Sequence, residues 1–188
     1  MYDVIIRGGN IVDGSGKPSF VGDVAIQGKF VAEVAEHIES PAKKEIDAKG
    51  KLVTPGWVDM HTHYDAQATW DPFVSPSGWH GVTTVVMGNC GFGIAPTHPN
   101  DRSTIARILE NVEGMSFEAL EAGIVWEFES FPEYLDAVEA LPLRINAAAY
   151  VGHTPIRQFV MGEAASERAA TADEVTAMQA IVGEAIDA

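Results

Sequence analysis

Cysteine is nearly absent from this chain: Cys90 is the only one among 188 residues. An intrachain disulfide is therefore excluded. Positive charge is scarce too, with 12 Lys and Arg against 27 Asp and Glu and a formal net charge of −15. That balance opposes attraction to phosphate backbones and anionic membranes, so neither nucleic acid nor a membrane is expected as a partner. Long apolar runs are missing as well. No segment approaches the ~20 residues of a membrane span, and the short run Ala147–Tyr150 reads as a buried strand. No basic start followed by an apolar stretch marks a secretion signal, which makes a cytoplasmic location the expectation. What the chain does have is apolar residues, at 46%. That is enough to bury the core of one medium domain, or of a small domain plus part of a larger one.

From Tyr2 to about Ala48 the pattern is of short strands and turns. Asp3–Arg7 reads as a strand, Gly8-Gly9-Asn10 as a turn, and Ile11–Asp13 as a second strand. Asp23–Gln27 and Phe30–Val34 form a hairpin about Gly28. This all-β unit is too short to close a sandwich or barrel alone. The rhythm changes at Leu52. Leu52–Met60 reads as one apolar strand, and Gly81–Met87 as a β-branched strand without alternation, as expected of a parallel strand covered on both faces. Ile105, Ile108, Leu109 and Val112 recur at helical spacing. Ser130-Phe-Pro-Glu133 and Thr171-Ala-Asp-Glu174 are capping boxes opening two further helices, and Leu143–Val151 is another buried strand. Strands alternating with helices imply a parallel α/β architecture.

His61 and His63 flank Thr62 at the end of the first of these strands. Successive side chains of a strand point to opposite faces, so both imidazoles emerge on one side, about 7 Å apart along the strand. Two neutral imidazoles aimed at one point make half of a metal site. Cys90 follows the strand Val82–Met87, and in a parallel sheet the carboxyl ends of the strands open onto the same crevice. A thiolate is a strong zinc ligand, and the glycines around Cys90 allow close backbone approach. Either signal alone has an ordinary alternative, a polar loop or a buried thiol; together they point to a metal. His153, after the strand Leu143–Val151, and Arg157 are weaker candidates for contacting a substrate carboxylate. Asp59 and Asp65 are weaker candidates for orienting the ligands from behind.

Pro55–His63 resembles the first-strand motif of the amidohydrolase superfamily, and Asp3–Gly14 resembles that superfamily's opening strands. Trp79–Gly91 is similar to the D-aminoacylase (N-acyl-D-amino-acid deacylase) branch, in which a cysteine replaces the carboxylated lysine ligand; Trp126–Leu135 and Tyr150–Arg157 are also similar to it. The resemblance implies a (β/α)8 TIM-type barrel beside a small β-sandwich domain. Residues 1–51 would belong to the sandwich and 52–188 to the first part of the barrel. It further implies one or two zinc ions held in part by His61, His63 and Cys90, and hydrolysis of N-acyl-D-amino acids. On that pattern the catalytic aspartate lies on a later strand, outside this chain.

A complete barrel takes about 250 residues, and only three barrel strands can be read here. The rest is expected from a continuation of the chain or from a second chain. Two other readings stay open: a cyclic amidohydrolase of the hydantoinase or dihydroorotase type, which the cysteine disfavours, and a non-catalytic scaffold subunit.

Overall fold

The computed structural model describes all 188 residues, which divide into two compact units, Met1–Gly56 and Trp57–Ala188.

In the first unit, β1 (Tyr2–Ile11), β2 (Phe20–Gln27), β3 (Phe30–Ala35) and β4 (Ala42–Asp47) form a sheet in the order β3-β2-β1-β4. A short β5 (Leu52–Val53) extends the parallel pairing with β1 beyond β4. β2 and β3 are the expected hairpin, and Gly28 at its turn has a φ of +59°. The turn expected at Gly8-Gly9-Asn10 is not a reversal, because β1 runs straight through it. The pairing with β2 shifts register between Ile6 and Gly9, a β-bulge that absorbs the extra residue. Gly8 takes a left-handed φ of +65°, and a Cβ on Gly9 would fall on the side chain of Val53. The two glycines thus let one strand bend past a close neighbour. Ile5, Ala25 and Ile38 form the small core. Beside it Asp23 accepts hydrogen bonds from the Gly8 and Ile38 amides at 2.9 and 3.1 Å and pairs with Arg7 at 2.9 Å. Those bonds outweigh burial and keep its carboxyl below the usual range.

Leu52–Met60 is not one strand, contrary to the sequence expectation. Leu52 and Val53 stay with β1, Pro55 and Gly56 break the run, and β6 (Trp57–Thr62) begins the second unit. There β6, β7 (Val82–Met87) and β8 (Asn146–Ala149) form a parallel sheet in that order. The link from β6 to β7 holds only 3-10 turns. That from β7 to β8 holds α1 (Arg102–Glu113), α2 (Phe117–Gly123) and α3 (Phe131–Ala140). α4 (His153–Met161) follows β8, and α5 (Ala172–Asp187) comes last. Both expected capping boxes are present, at Ser130/Glu133 and Thr171/Glu174.

The core of this unit lies between β7 and the helices. Ile105 and Leu109, one turn apart on α1, meet Met87, Leu120, Phe131 and Tyr134. Each large apolar side chain so buried contributes about 1.5–3 kcal/mol. The central strand β7 buries Val85, Val86 and Met87, whereas β6 leaves Trp57, Val58 and Met60 exposed. The chain is thus α/β, and none of its helices is long and apolar enough to cross a membrane.

Candidate metal centre

The end of β6 carries the first candidate ligands, His61 and His63. Thr62 turns inward, buried, and its hydroxyl donates to the Val86 carbonyl at 2.9 Å. Alternation then sends both neighbouring imidazoles outward on one side, their ring centroids 5.4 Å apart and their planes 25° from parallel. Cys90 comes from the loop after β7, which is anchored by Asn89 donating to the Met60 carbonyl at 3.1 Å. Its Sγ lies 4.0 Å from His63 Nδ1. One nitrogen of each histidine and the sulfur all fall within 4.8 Å of one another. Burial, and secondarily the proximity of His61, lower the pKa of His63 and favour the neutral imidazole that coordinates a metal.

Two nitrogens and a thiolate in this spacing suit zinc by donor type and distance. The three residues come from the ends of adjacent parallel strands, where the sequence places them.

A cleft of about 410 Å³ opens beside the histidines. Asp59 lines it, and its Oδ1 accepts from the His61 amide at 3.3 Å. Gln67, Ser77 and Met115 contribute to the other walls. Glu113, at the end of α1, also lines the cleft, and both its carboxyl oxygens are buried without a hydrogen-bond partner. Burial, with the nearby charge of Asp65, pushes its pKa up to about 8. Sequence reading missed Glu113, which looked like an ordinary polar residue at a helix end; its burial comes from the packing of α1 and has no local signal.

The weaker candidates divide. Asp65 is only 5% exposed and does not line the cleft, and burial raises its carboxyl to about 7. Its backbone carbonyl accepts from Tyr134 Oη at 3.1 Å. His153 and Arg157 do not join the histidine cleft. They belong to α4, an element the sequence reading left out, and line a second cleft described below. Arg157 donates to the carbonyls of Ala165 and Arg168 at 2.6 and 3.0 Å, pinning the turn after α4.

The profile of the amidohydrolase family matches residues 44–188. The chain is 35% identical to a D-aminoacylase of Alcaligenes xylosoxydans xylosoxydans over 186 residues, 98% of this chain and 36% of that protein. A crystal structure of D-aminoacylase, described as defining a novel subset of amidohydrolases, superposes with a TM-score of 0.82 at 37% identity. It is covered over 100% of this chain and 37% of its own. The N-acyl-D-glutamate deacylase of Bordetella bronchiseptica, solved with zinc and a phosphonate mimic of the tetrahedral intermediate, gives 0.76 at 33% identity, over 100% of this chain and 36% of its own. The chain thus spans little more than a third of the relatives it matches.

Proposed function

Because the chain belongs to the amidohydrolase family, we propose that it forms the metal-binding N-terminal part of a zinc-dependent deacylase of N-acyl-D-amino acids. The observation that carries this reading is the cluster of His61, His63 and Cys90, with ligand atoms within 4.8 Å. The D-aminoacylase and N-acyl-D-glutamate deacylase likenesses supply the substrate class.

The β-sandwich part and the first part of a (β/α)8 barrel, expected for residues 1–51 and 52–188, would divide after Gly56 and not after Lys51, because Leu52 and Val53 pair with β1. β6 and β8 each keep one unpaired edge, and Trp57 and Met60 on β6 are 61% and 52% exposed. Apolar side chains on an open parallel edge suit strands that other segments cover. The remaining strands would come from a continuation or a second chain.

His61 and His63 would hold one or two zinc ions together with Cys90 and ligands from later strands. Zinc supplies Lewis-acid chemistry toward the amide carbonyl and the attacking water. Thr62 fixes the facing of the two imidazoles through its bond to β7, and Asp59 holds the backbone at His61. The neutral state of His63 leaves its lone pair free for coordination. The proton acceptor is assigned to an aspartate on a later strand, since the catalytic carboxylate of this reading lies outside residues 1–188.

The test uses the protein in its full natural length. Metal analysis should find about one or more zinc per chain, and N-acetyl-D-amino acids should be hydrolysed in preference to their L counterparts. Cys90→Ser should weaken zinc binding at least ~10-fold, since even outer partners of a ligand cost that much. Zinc-free protein would favour the scaffold reading. Zinc-loaded protein that opens only cyclic amides would replace the deacylase reading.

A further inference from the structure

A second cleft, of about 340 Å³, lies between α1 and α4. Its polar lining comes from Thr104 on α1, from His153, Thr154, Arg157 and Gln158 on α4, and from Ser166 just beyond. In a chain of net charge −15 this lining contains no Asp or Glu.

The polar groups there are largely unused. Gln158 is only 8% exposed, yet its side-chain amide makes no hydrogen bond within the chain. Thr104 is exposed and Thr154 half-buried, so their hydroxyls are solvated and available to a ligand in the cleft. Arg157 uses Nη2 alone, on two backbone carbonyls, which leaves Nη1 and Nε free and its charge without a carboxylate partner. The Gln158 amide is not sealed from solvent but stands at the wall of the cleft, open to a ligand that enters it. Gln158, the two threonines and the free guanidinium edge together offer several donors around one cation.

We propose that this cleft binds a small oxyanion, held by Arg157 and Gln158 with Thr104 and Thr154 completing the donor set. The shared chemistry is a planar or tetrahedral group of negatively charged oxygens, as in a carboxylate or inorganic phosphate. The site is distinct from the histidine cleft and goes beyond the deacylase reading. It is nevertheless tied to that cleft mechanically, because the Thr154 amide donates to the Gly91 carbonyl at 2.8 Å, next to Cys90.

Calorimetric titration of the full-length, zinc-loaded protein with acetate and, separately, with phosphate tests the assignment. Removing Arg157 would also release the turn it pins, so the decisive variant is Thr104→Glu, which sets a negative charge on an exposed helix position without touching the fold. Gln158→Met, close in shape and lacking the amide, is the second variant. Saturable binding should appear with at least one anion, and both variants should weaken it at least 10-fold while melting as the wild type does without anion. Tighter binding of acetate would identify a carboxylate site, and tighter binding of phosphate a site for a doubly charged group. No saturable binding of either anion, or binding unchanged in Thr104→Glu, overturns the proposal; the latter result would place the anion at the zinc instead. Deacylase activity is not among these readouts, so failure here leaves the proposed function standing, and the reverse.

Discussion

Gly88 shows how closely the candidate centre depends on single residues. It sits between the last residue of β7 and the Cys90 loop with a φ of +78°, and a Cβ there would run into the carbonyl oxygen of Tyr150. Gly88→Ala should therefore destabilise the protein by more than the ~1–2 kcal/mol of the left-handed conformation alone. It should also displace Cys90. Thermal melting with zinc analysis checks this; an alanine variant that melts and binds zinc like the wild type would refute it. At this scale the sequence is legible where chemistry demands a rare residue. His61, His63 and Cys90 stand out because few residue types coordinate zinc, and alternation along a strand fixes the facing of the histidines. Glu113 and Gln158 do not stand out. Packing buries both Glu113 oxygens without a partner and brings Gln158 to the wall of a cleft, and neither outcome has a local signal.

The elements divide along the same line. Helix starts carry local chemistry, so Ser130 and Thr171 could be read as caps, and both make the bonds expected of them. In α3 the Ser130 hydroxyl accepts from the Glu133 amide at 3.3 Å, while the Glu133 carboxylate accepts from the amides of Glu129 and Ser130 at 2.9 Å each. Ser130→Ala should cost about 1 kcal/mol. A denaturant midpoint unchanged by the substitution would show that α3 is held by packing alone. α4 escaped notice because its cap, Gly152, contributes no side-chain bond and Pro155 in its first turn reads as a breaker. What selects Gly152 is space: a Cβ there would crowd the Gly91 and Phe92 carbonyls and Pro155. The division of Leu52–Met60 into β5 and β6 was only half legible. Pro55-Gly56 marks the break locally, but which sheet each piece joins is decided by partners distant in the chain.

The whole molecule should respond to pH through its buried acids. Glu113 is raised to about 8 and Asp65 to about 7, both chiefly by burial, with Tyr134 the other titratable group beside them. A folded-state pKa above the unfolded value of about 4 means that the native protein holds the extra proton. Stability from these groups is therefore present below about pH 4 and falls as pH rises toward 8. Glu113→Gln removes one ionisation, so its melting temperature should decline less steeply than the wild type's between pH 5 and pH 9, a range set by the raised values. Parallel slopes would show that Glu113 is paired in the full-length protein. The sheet itself carries one more consequence. The thiol of Cys90 meets His63 across 27 residues, whereas β7 reaches β8 across 62. Shorter loops cost less entropy to close, so β6 and β7 are favoured to join first. On the proposed reading, His61, His63 and Cys90 would thus come together while the third strand is still unpaired, and zinc would act as an early staple of the nascent sheet and not as a late addition to a finished one.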